Sequence, residues 1–106
     1  MVTVILKMNA LPKKRLEIKQ SCLALVESIR KEKGCLSSNV FQDIENDNAF
    51  SMIQIWQSRN DLDDHLRSEN FTLMMGTRHL LSRPLAISMS EDTSHSGWQA
   101  VESVRR

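Results

Sequence analysis

The chain has 106 residues, 41% hydrophobic and 25% charged, which is the composition of one folded domain with a single core. Its formal net charge of +1 favours neither a nucleic acid nor an anionic membrane as partner. No apolar run approaches the roughly 20 residues of a membrane-spanning helix. The N-terminus reads as a strand rather than a secretory signal, and Cys22 and Cys35 are expected to be reduced thiols. We therefore expect a cytoplasmic protein.

Residues 2–8 are predicted to form the first strand, because apolar side chains recur there with a period of two. Four residues form its strongly apolar face: Val2, Val4, Leu6 and Met8. Residues 13–33 then change to the helical period of 3.6, and Pro12 suits the first turn of that helix. The buried stripe of this helix is expected to consist of Ile18, Cys22, Leu25, Val26 and Ile29.

The next two predicted strands, residues 35–45 and 50–57, form an antiparallel hairpin across the turn signal Asn46-Asp47-Asn48. The first of them is weak, with its apolar parity at Leu36, Val40 and Ile44. The second is apolar on both faces and therefore needs cover on both. One layer of helices covers only one face of a sheet. A second copy of the chain is the simplest way to bury the other face of the sheet, so we predict a homodimer.

A capping box, Ser58-Arg-Asn-Asp61, predicts a short helix over residues 61–67 that carries His65 close to the end of the third strand. Ser68 can cap a further helix over residues 69–82, which Pro84 stops. Residues 85–89 alternate again and give a fourth strand. Residues 1–90 are thus expected to form the domain and residues 91–106 a polar tail. The end of that tail is either a short helix that docks on a partner subunit or a frayed terminus.

The order β-α-β-β-α-β, with the second helix broken, predicts an α+β fold of the ferredoxin-like split βαβ type. Its four-stranded antiparallel sheet carries the helices on one face. Between residues 2 and 89 the chain resembles the antibiotic biosynthesis monooxygenase family, which belongs to the dimeric α+β barrel superfamily. The residues that carry this resemblance, by order and spacing, are Gly34-Cys35, Val40-Phe41-Gln42-Asp43, Ile55-Trp56-Gln57-Ser58, Leu62, His65-Leu66 and Phe71.

This resemblance implies an oxygenase that oxidises a small quinol or phenol with molecular oxygen and uses no metal or other cofactor. It implies a pocket between sheet and helices in each subunit, and a homodimer whose sheets pack face to face. The expected partners are a small aromatic substrate, oxygen and a second copy of the chain, with no nucleic acid and no membrane. An electron-rich phenolate can itself reduce oxygen, so the protein need only deprotonate the substrate, exclude water and hold oxygen close.

The resemblance also proposes the site residues. Trp56 matches the family's strand-end tryptophan and is expected to stack on a planar ring, with its indole N–H available to an oxyanion. His65 matches the helix histidine and is expected to shuttle a proton. These two are the predicted catalytic residues. The residues predicted to bind the substrate are Asn9, Gln54, Phe71, Met75 and Arg78.

Two departures from the family pattern keep alternatives open. Gln54 stands where relatives commonly carry glutamate, and Asn70 where many carry a second histidine; neither amide can shuttle a proton at neutral pH. A large aromatic residue at a strand end such as Trp56 is usually part of the core, and His65 is also compatible with a structural role. The chain is therefore also compatible with a non-catalytic small-molecule-binding dimeric module, or with an isomerase or lyase of a small carbonyl compound. Haem degradation is disfavoured because the pattern of the haem-binding subgroup is absent.

Overall fold

Four strands form one antiparallel sheet: β1 (Val2–Asn9), β2 (Cys35–Gln42), β3 (Ala49–Trp56) and β4 (Ala86–Glu91). Their order across the sheet is β2-β3-β1-β4, and the central pair runs in register from Val2 opposite Trp56 to Asn9 opposite Ala49. The structure, a computed structural model, describes residues 1–91 and 97–106. This sheet confirms the predicted ferredoxin-like arrangement.

The helices are α1 (Arg15–Ile29), α2 (Arg59–Leu66), α3 (Glu69–Gly76) and α4 (Gly97–Arg105), with 3-10 turns at Pro12–Lys14 and Thr77–Leu80. The core lies between one face of the sheet and the first three helices. α1 contributes the stripe that its period predicts: Ile18, Cys22, Leu25, Val26 and Ile29. β1 contributes its alternate residues, all at most 3% exposed: Val2, Val4, Leu6 and Met8.

Both predicted serine caps are present. Ser58 Oγ accepts the backbone N–H of Asp61 (3.1 Å) and so starts α2 at Arg59, two residues earlier than expected. Ser68 Oγ accepts the N–H of Phe71 (3.3 Å) at the start of α3. The prediction of one helix over residues 69–82 was wrong in length, because α3 ends at Gly76 and tightens into the 3-10 turn.

The second strand was predicted too long and with the wrong apolar parity at its ends. β2 ends at Gln42, and Ile44 beyond it is 98% exposed. A bulge between Cys35 and Ser37 removes Leu36 from the alternation, so that this leucine is 52% exposed. Val40 keeps the predicted parity and pairs with Met52 of β3, and Ser38 is the other inward position, opposite Gln54.

Within residues 1–91 and 97–106, the sheet face opposite the helices remains partly exposed to solvent. Ile5, Ile53 and Ile55 lie on that face, and each is partly exposed. The end of the predicted polar tail forms α4, a helix that is exposed throughout, and its docking on a partner subunit stays a prediction. The rest of that tail falls largely on residues 92–96, outside the described part of the chain. No helix in the described residues is long and apolar enough to cross a membrane.

Candidate functional site

A histidine–carboxylate pair is buried where α2 meets the end of α1. Nδ1 of His65 lies 2.8 Å from Oε2 of Glu32, and Nδ2 of Asn70 donates to the same oxygen at 3.0 Å. The His65 side chain is 2% exposed and that of Glu32 is 19% exposed. The carboxylate is therefore the member of the pair that faces outward, and the imidazole is the member that the protein encloses.

Glu32 reaches His65 because a tight turn follows α1. The N–H of Glu32 still bonds to the carbonyl of Ile29 (3.0 Å), and Gly34 then adopts a left-handed φ of 81°. The carbonyl of Gly34 accepts the N–H of Gln57 (2.8 Å), which ties the turn to the end of β3. A Cβ at position 34 would overlap the side chain of Asp61 in the first turn of α2. Only glycine lets α1 and α2 approach closely enough for the pair to form.

Aromatic rings hold the imidazole on two sides. Trp56 stacks on His65 with 4.6 Å between ring centroids and 27° between ring planes, and Phe71 meets His65 edge-on at 5.8 Å. The indole N–H donates to Oε1 of Gln54 (3.0 Å), and Nε2 of Gln54 contacts the sulfur of Met52 at 3.2 Å. Trp56 is 0% exposed and Gln54 1% exposed. The indole N–H, which was predicted to donate a hydrogen bond to an oxyanion, thus donates to Gln54 in this structure.

Four predicted site residues come together in this cluster: Gln54, Trp56, His65 and Phe71. Met75 and Arg78 lie at the end of α3 and just after it, both exposed, with Nε of Arg78 donating to the carbonyl of Met75 (3.0 Å). They belong to the outer surface of the helical layer rather than to the buried cluster.

Asn9 does not join the others, contrary to the expectation of one common pocket. It pairs with Ala49, seven residues along β1 from Val2, which is opposite Trp56. At about 3.3 Å per residue, roughly 23 Å separates the two ends of the sheet. Asn9 instead lines a separate cleft at the hairpin end.

An apolar groove between α1 and α3 reaches the pair through Asn70. Its volume is about 320 Å³, and its walls are Ser21, Ala24, Leu25, Ser28, Asn70, Leu73 and Thr77. The pocket implied between sheet and helices is instead filled by core side chains, among them Trp56, Met52 and Leu62, all fully buried. Asn70 is the link between groove and pair, because it lines the groove while its amide bonds to Glu32.

Both cysteines are free thiols: Cys35 borders the cluster, whereas Cys22 contacts the sulfur of Met8 near the other end of β1. Burial raises the pKa of the Cys22 thiol to about 11. Cys35 pairs with Trp56 across the sheet, and burial followed by the negative charge of Glu32 raises the pKa of its thiol. Both cysteines therefore favour the protonated, weakly reactive form.

Glu32 is the residue that reasoning from the sequence missed. It lies between Lys31 and Lys33, in a charged segment that looks like an ordinary solvated helix end, and it is 33 residues away from His65. The one useful signal is Gly34, which marks the turn that directs Glu32 inward. No periodicity connects the two partners.

An antiparallel ferredoxin-like sheet, with helices on one face and a buried histidine–carboxylate pair beside a tryptophan, defines a small ferredoxin-like α+β domain. The sequence profile of the antibiotic biosynthesis monooxygenase family matches residues 1–76, more than two thirds of the chain. The chain belongs to that family.

Known proteins support this assignment. A conserved protein from Methanosarcina mazei, solved by crystallography, is 28% identical with a TM-score of 0.81, covering 87% of this chain and 92% of its own. The crystal structure of an antibiotic biosynthesis monooxygenase is 26% identical with a TM-score of 0.81, covering 88% of this chain and 99% of its own. The uncharacterized Synechocystis protein sll1783 is 29% identical over 79 residues, 74% of this chain, and the chain spans about half (54%) of its length.

Proposed function

We propose that the protein is a cofactor-independent monooxygenase that oxidises a small quinol or phenol with molecular oxygen. The observation that carries the proposal is the 2.8 Å contact between Glu32 and His65, held against Trp56 inside the domain. A carboxylate that orients an imidazole is a common arrangement for moving a proton to and from a substrate. It also supplies the acid–base group that the amides of Gln54 and Asn70 cannot.

In this mechanism the substrate meets Glu32 first, because Glu32 is the more exposed partner. Within residues 1–91 and 97–106, Oε1 of Glu32 has no hydrogen-bond partner, whereas Oε2 is hydrogen-bonded to both His65 and Asn70. Oε1 accepts the proton of the substrate hydroxyl, so that the Glu32 carboxylate becomes a neutral acid. The hydrogen bond between Oε2 and Nδ1 of His65 orients that carboxyl group and makes His65 the second member of the proton shuttle, with the plane of its ring fixed by stacking on Trp56.

The resulting phenolate is the reductant. A quinol and oxygen give a hydroxyquinone and water: one oxygen atom bonds to a ring carbon, and the other leaves as water with two hydrogens. Two of the four electrons that oxygen receives come from oxidation of the quinol to the quinone, and two from conversion of a ring C–H to C–OH. The pair takes up the first proton and returns it to the reduced oxygen, so that the protein ends each cycle unchanged.

The substrate ring is proposed to enter by the groove between α1 and α3. About 320 Å³ accommodates one or two fused rings, and the walls are mainly apolar. Asn70 at the groove wall places an amide beside Glu32, and so can orient the substrate hydroxyl toward the carboxylate. The apolar walls remove water from the face of the ring that lies against them.

A homodimer in the cytoplasm is part of the proposal. The open sheet face carries an apolar strip that a second sheet would bury. This strip consists of three partly exposed isoleucines, Ile5, Ile53 and Ile55. The free state of both thiols fits a reducing compartment.

Oxygen uptake by metal-stripped protein tests the proposal, with simple quinols and naphthols as substrates. We expect protein-dependent uptake of one oxygen molecule per quinol, and ¹⁸O₂ should place one labelled atom in the hydroxyquinone. His65→Gln should lower the rate by about 10²-fold or more, the usual contribution of a positioned acid–base group. The matched variant His79→Gln, at an exposed histidine, should leave the rate unchanged. Uptake equal in all three proteins would remove His65 from the mechanism.

The second candidate is a non-catalytic aromatic-binding module. The observation that favours it is the closed packing of the cluster, in which Trp56 is 0% and His65 2% exposed. Such a protein would bind naphthols in the groove and consume no oxygen with any of them. An isomerase or lyase would convert a small carbonyl compound at the same rate under anaerobic conditions.

A further inference from the structure

We infer that the groove between α1 and α3 selects an elongated aromatic diol, a fused ring system with one oxygen at each end of its long axis. The inference rests on the proposed function, because it narrows the substrate of the same site. The groove lies in the helical layer, on the side of the sheet away from the face that a second copy is proposed to cover. A dimer formed through the open sheet face therefore leaves the groove accessible.

Two contacts show that α3 runs back along α1. Asn70, near the start of α3, bonds to Glu32 just beyond the end of α1 (3.0 Å). In the 3-10 turn after α3, the carbonyl of Leu80 accepts the N–H of Leu11, just before α1 begins (2.9 Å). The residues that line the groove therefore face one another in reverse order: Ser28 opposite Asn70, Ala24 opposite Leu73 and Ser21 opposite Thr77.

The middle of the groove is apolar, and its width depends on Ala24. Ala24 faces Leu73 across the groove, and Leu25, which is only 7% exposed, belongs to its floor. The methyl group of Ala24 leaves room for a flat ring between the two helices, whereas a longer apolar side chain would fill that room. An aromatic ring is the apolar body that suits such a space.

Both ends of the groove are polar. Ser28 and Asn70 lie at the end near the buried pair, and Ser21 and Thr77 lie at the far end. The hydroxyl of Thr77 donates to the carbonyl of Met74 (2.7 Å) and is thereby engaged. Within residues 1–91 and 97–106, the hydroxyl of Ser21 has no hydrogen-bond partner. Ser21 is thus the far-end group that is free to bind an oxygen of the ligand.

The distance between the two ends sets the shape of the ligand. Ser21 and Ser28 are seven residues apart on α1, which is about 10.5 Å along the helix axis. In 2,6-dihydroxynaphthalene the oxygens lie at the ends of the long axis, so one reaches Ser21 while the other lies between Ser28 and Asn70. In the 1,5 isomer the oxygens lie on the long sides and are directed at the apolar walls, where they lose hydrogen bonds to water without replacing them.

Isothermal titration calorimetry with these two isomers tests the inference. We expect 2,6-dihydroxynaphthalene to bind about three- to tenfold more tightly than the 1,5 isomer, which has the same rings and hydroxyls. Ser21→Ala should remove most of this preference. Ala24→Leu keeps a good helix former, and it should weaken the binding of both isomers by about tenfold or more, because the isobutyl group occupies the space of the ring.

The controls are Gln20→Leu and Thr72→Ala, at exposed positions of the same two helices outside the groove, which should leave both affinities unchanged. Equal affinity for the two isomers, a preference that survives Ser21→Ala, unchanged binding in Ala24→Leu, or no binding at millimolar concentration would each overturn the inference.

Oxygen uptake in the same variants separates this inference from the proposed function. Binding that depends on Ser21 and Ala24, with no oxygen uptake from any quinol, would support the inference and contradict only the proposed oxygenase. Uptake that is equal in wild type and Ala24→Leu would place the reacting ring outside the groove, and so would overturn the inference while leaving the oxygenase in place.

Discussion

Gly34 is the residue on which the approach of α1 to α2 depends. Gly34→Ala puts a Cβ at a left-handed φ of 81° and into the side chain of Asp61, so we expect it to lower the free energy of unfolding by about 2 kcal/mol. Gly76→Ala is the matched control, because its Cβ would meet open space at the end of α3 and should stabilise by up to about 1 kcal/mol. Urea denaturation measures both. Equal effects of the two substitutions would contradict this account of Gly34.

Cys22 gives the protein a pH-dependent stability at alkaline pH. Burial raises the pKa of its thiol from 9.0 to about 11, so above pH 9 the unfolded chain releases the proton while the folded chain retains it. The free energy of unfolding should therefore fall between pH 9 and 11, by about 2 kcal/mol from this group.

Cys22→Ala removes the titrating thiol and isolates this contribution. The stability difference between wild type and Cys22→Ala, measured in urea from pH 8 to 11, should shrink by about 2 kcal/mol across that range. Other groups titrate in both proteins and cancel. A difference that stays constant with pH would show that the Cys22 thiol titrates alike in the folded and unfolded chains.

At the residue scale, the sequence identifies His65 but not its partner. His65 is recognisable because its spacing from Trp56 matches a family pattern. Glu32 is brought to it only by the turn at Gly34 and the packing of α1 against α2, and no short-range pattern encodes such a contact. A core position for Trp56 was one of the two alternatives that the sequence left open, and its side chain is fully buried. Strand alternation places Gln54 on the same face, but it does not predict the hydrogen bond from the indole N–H to Gln54.

At the scale of the element, α2 depends on its N-terminal cap. Ser58 Oγ accepts the N–H of Asp61 and donates to Oδ2 of the same residue at 2.9 Å. Ser58→Ala should therefore lower the free energy of unfolding by about 1 kcal/mol, as measured by denaturation. Ser28→Ala, at an exposed position within α1, should be neutral or slightly stabilising, since alanine is the better helix former. Similar losses in the two variants would argue against a specific cap.

Helices and strands were predicted correctly where a strong hydrophobic period was combined with a clear signal for the end of the element. The five-residue stripe of α1, the strand alternation of β1 and the serine caps all follow from local rules. The prediction of the inward residues of β2 was wrong at Leu36, because the bulge there removes this residue from the alternation, and the sequence pattern does not reveal a bulge. α3 was predicted too long because Gly76 and the 3-10 turn interrupt it before Pro84.

At the scale of the whole molecule, the open sheet face predicts a dimer. Multi-angle light scattering at micromolar concentration should give twice the 12.2 kDa chain mass. Ile53→Lys places an unpaired charge in the centre of that face and should shift the protein to one chain mass. Leu23→Lys, at a leucine already 52% exposed on α1, should leave the mass unchanged. A wild-type protein of one chain mass would refute the dimer.

The overall architecture was predictable from the order of elements, whereas the proposed layout of the site was wrong for Asn9. Asn9 and Trp56 both lie at the C-terminal ends of their strands, and the predicted split βαβ topology already implies that these ends are on opposite sides of the domain. The antiparallel pairing places Asn9 and Trp56 far apart, because β1 and β3 run in opposite directions. The separation of the cleft at Asn9 from the cluster at His65 follows from that pairing.

A double-mutant cycle on oxygen uptake with the best quinol shows directly whether Glu32 and His65 act together in catalysis. It uses wild type, Glu32→Gln, His65→Gln and the double variant. If the two residues act as one proton-transfer pair, each single variant should lose about 10²-fold or more in kcat, and the double variant should lose little beyond that. Losses that multiply in the double variant, or full activity in Glu32→Gln, would contradict the pair as the catalytic centre.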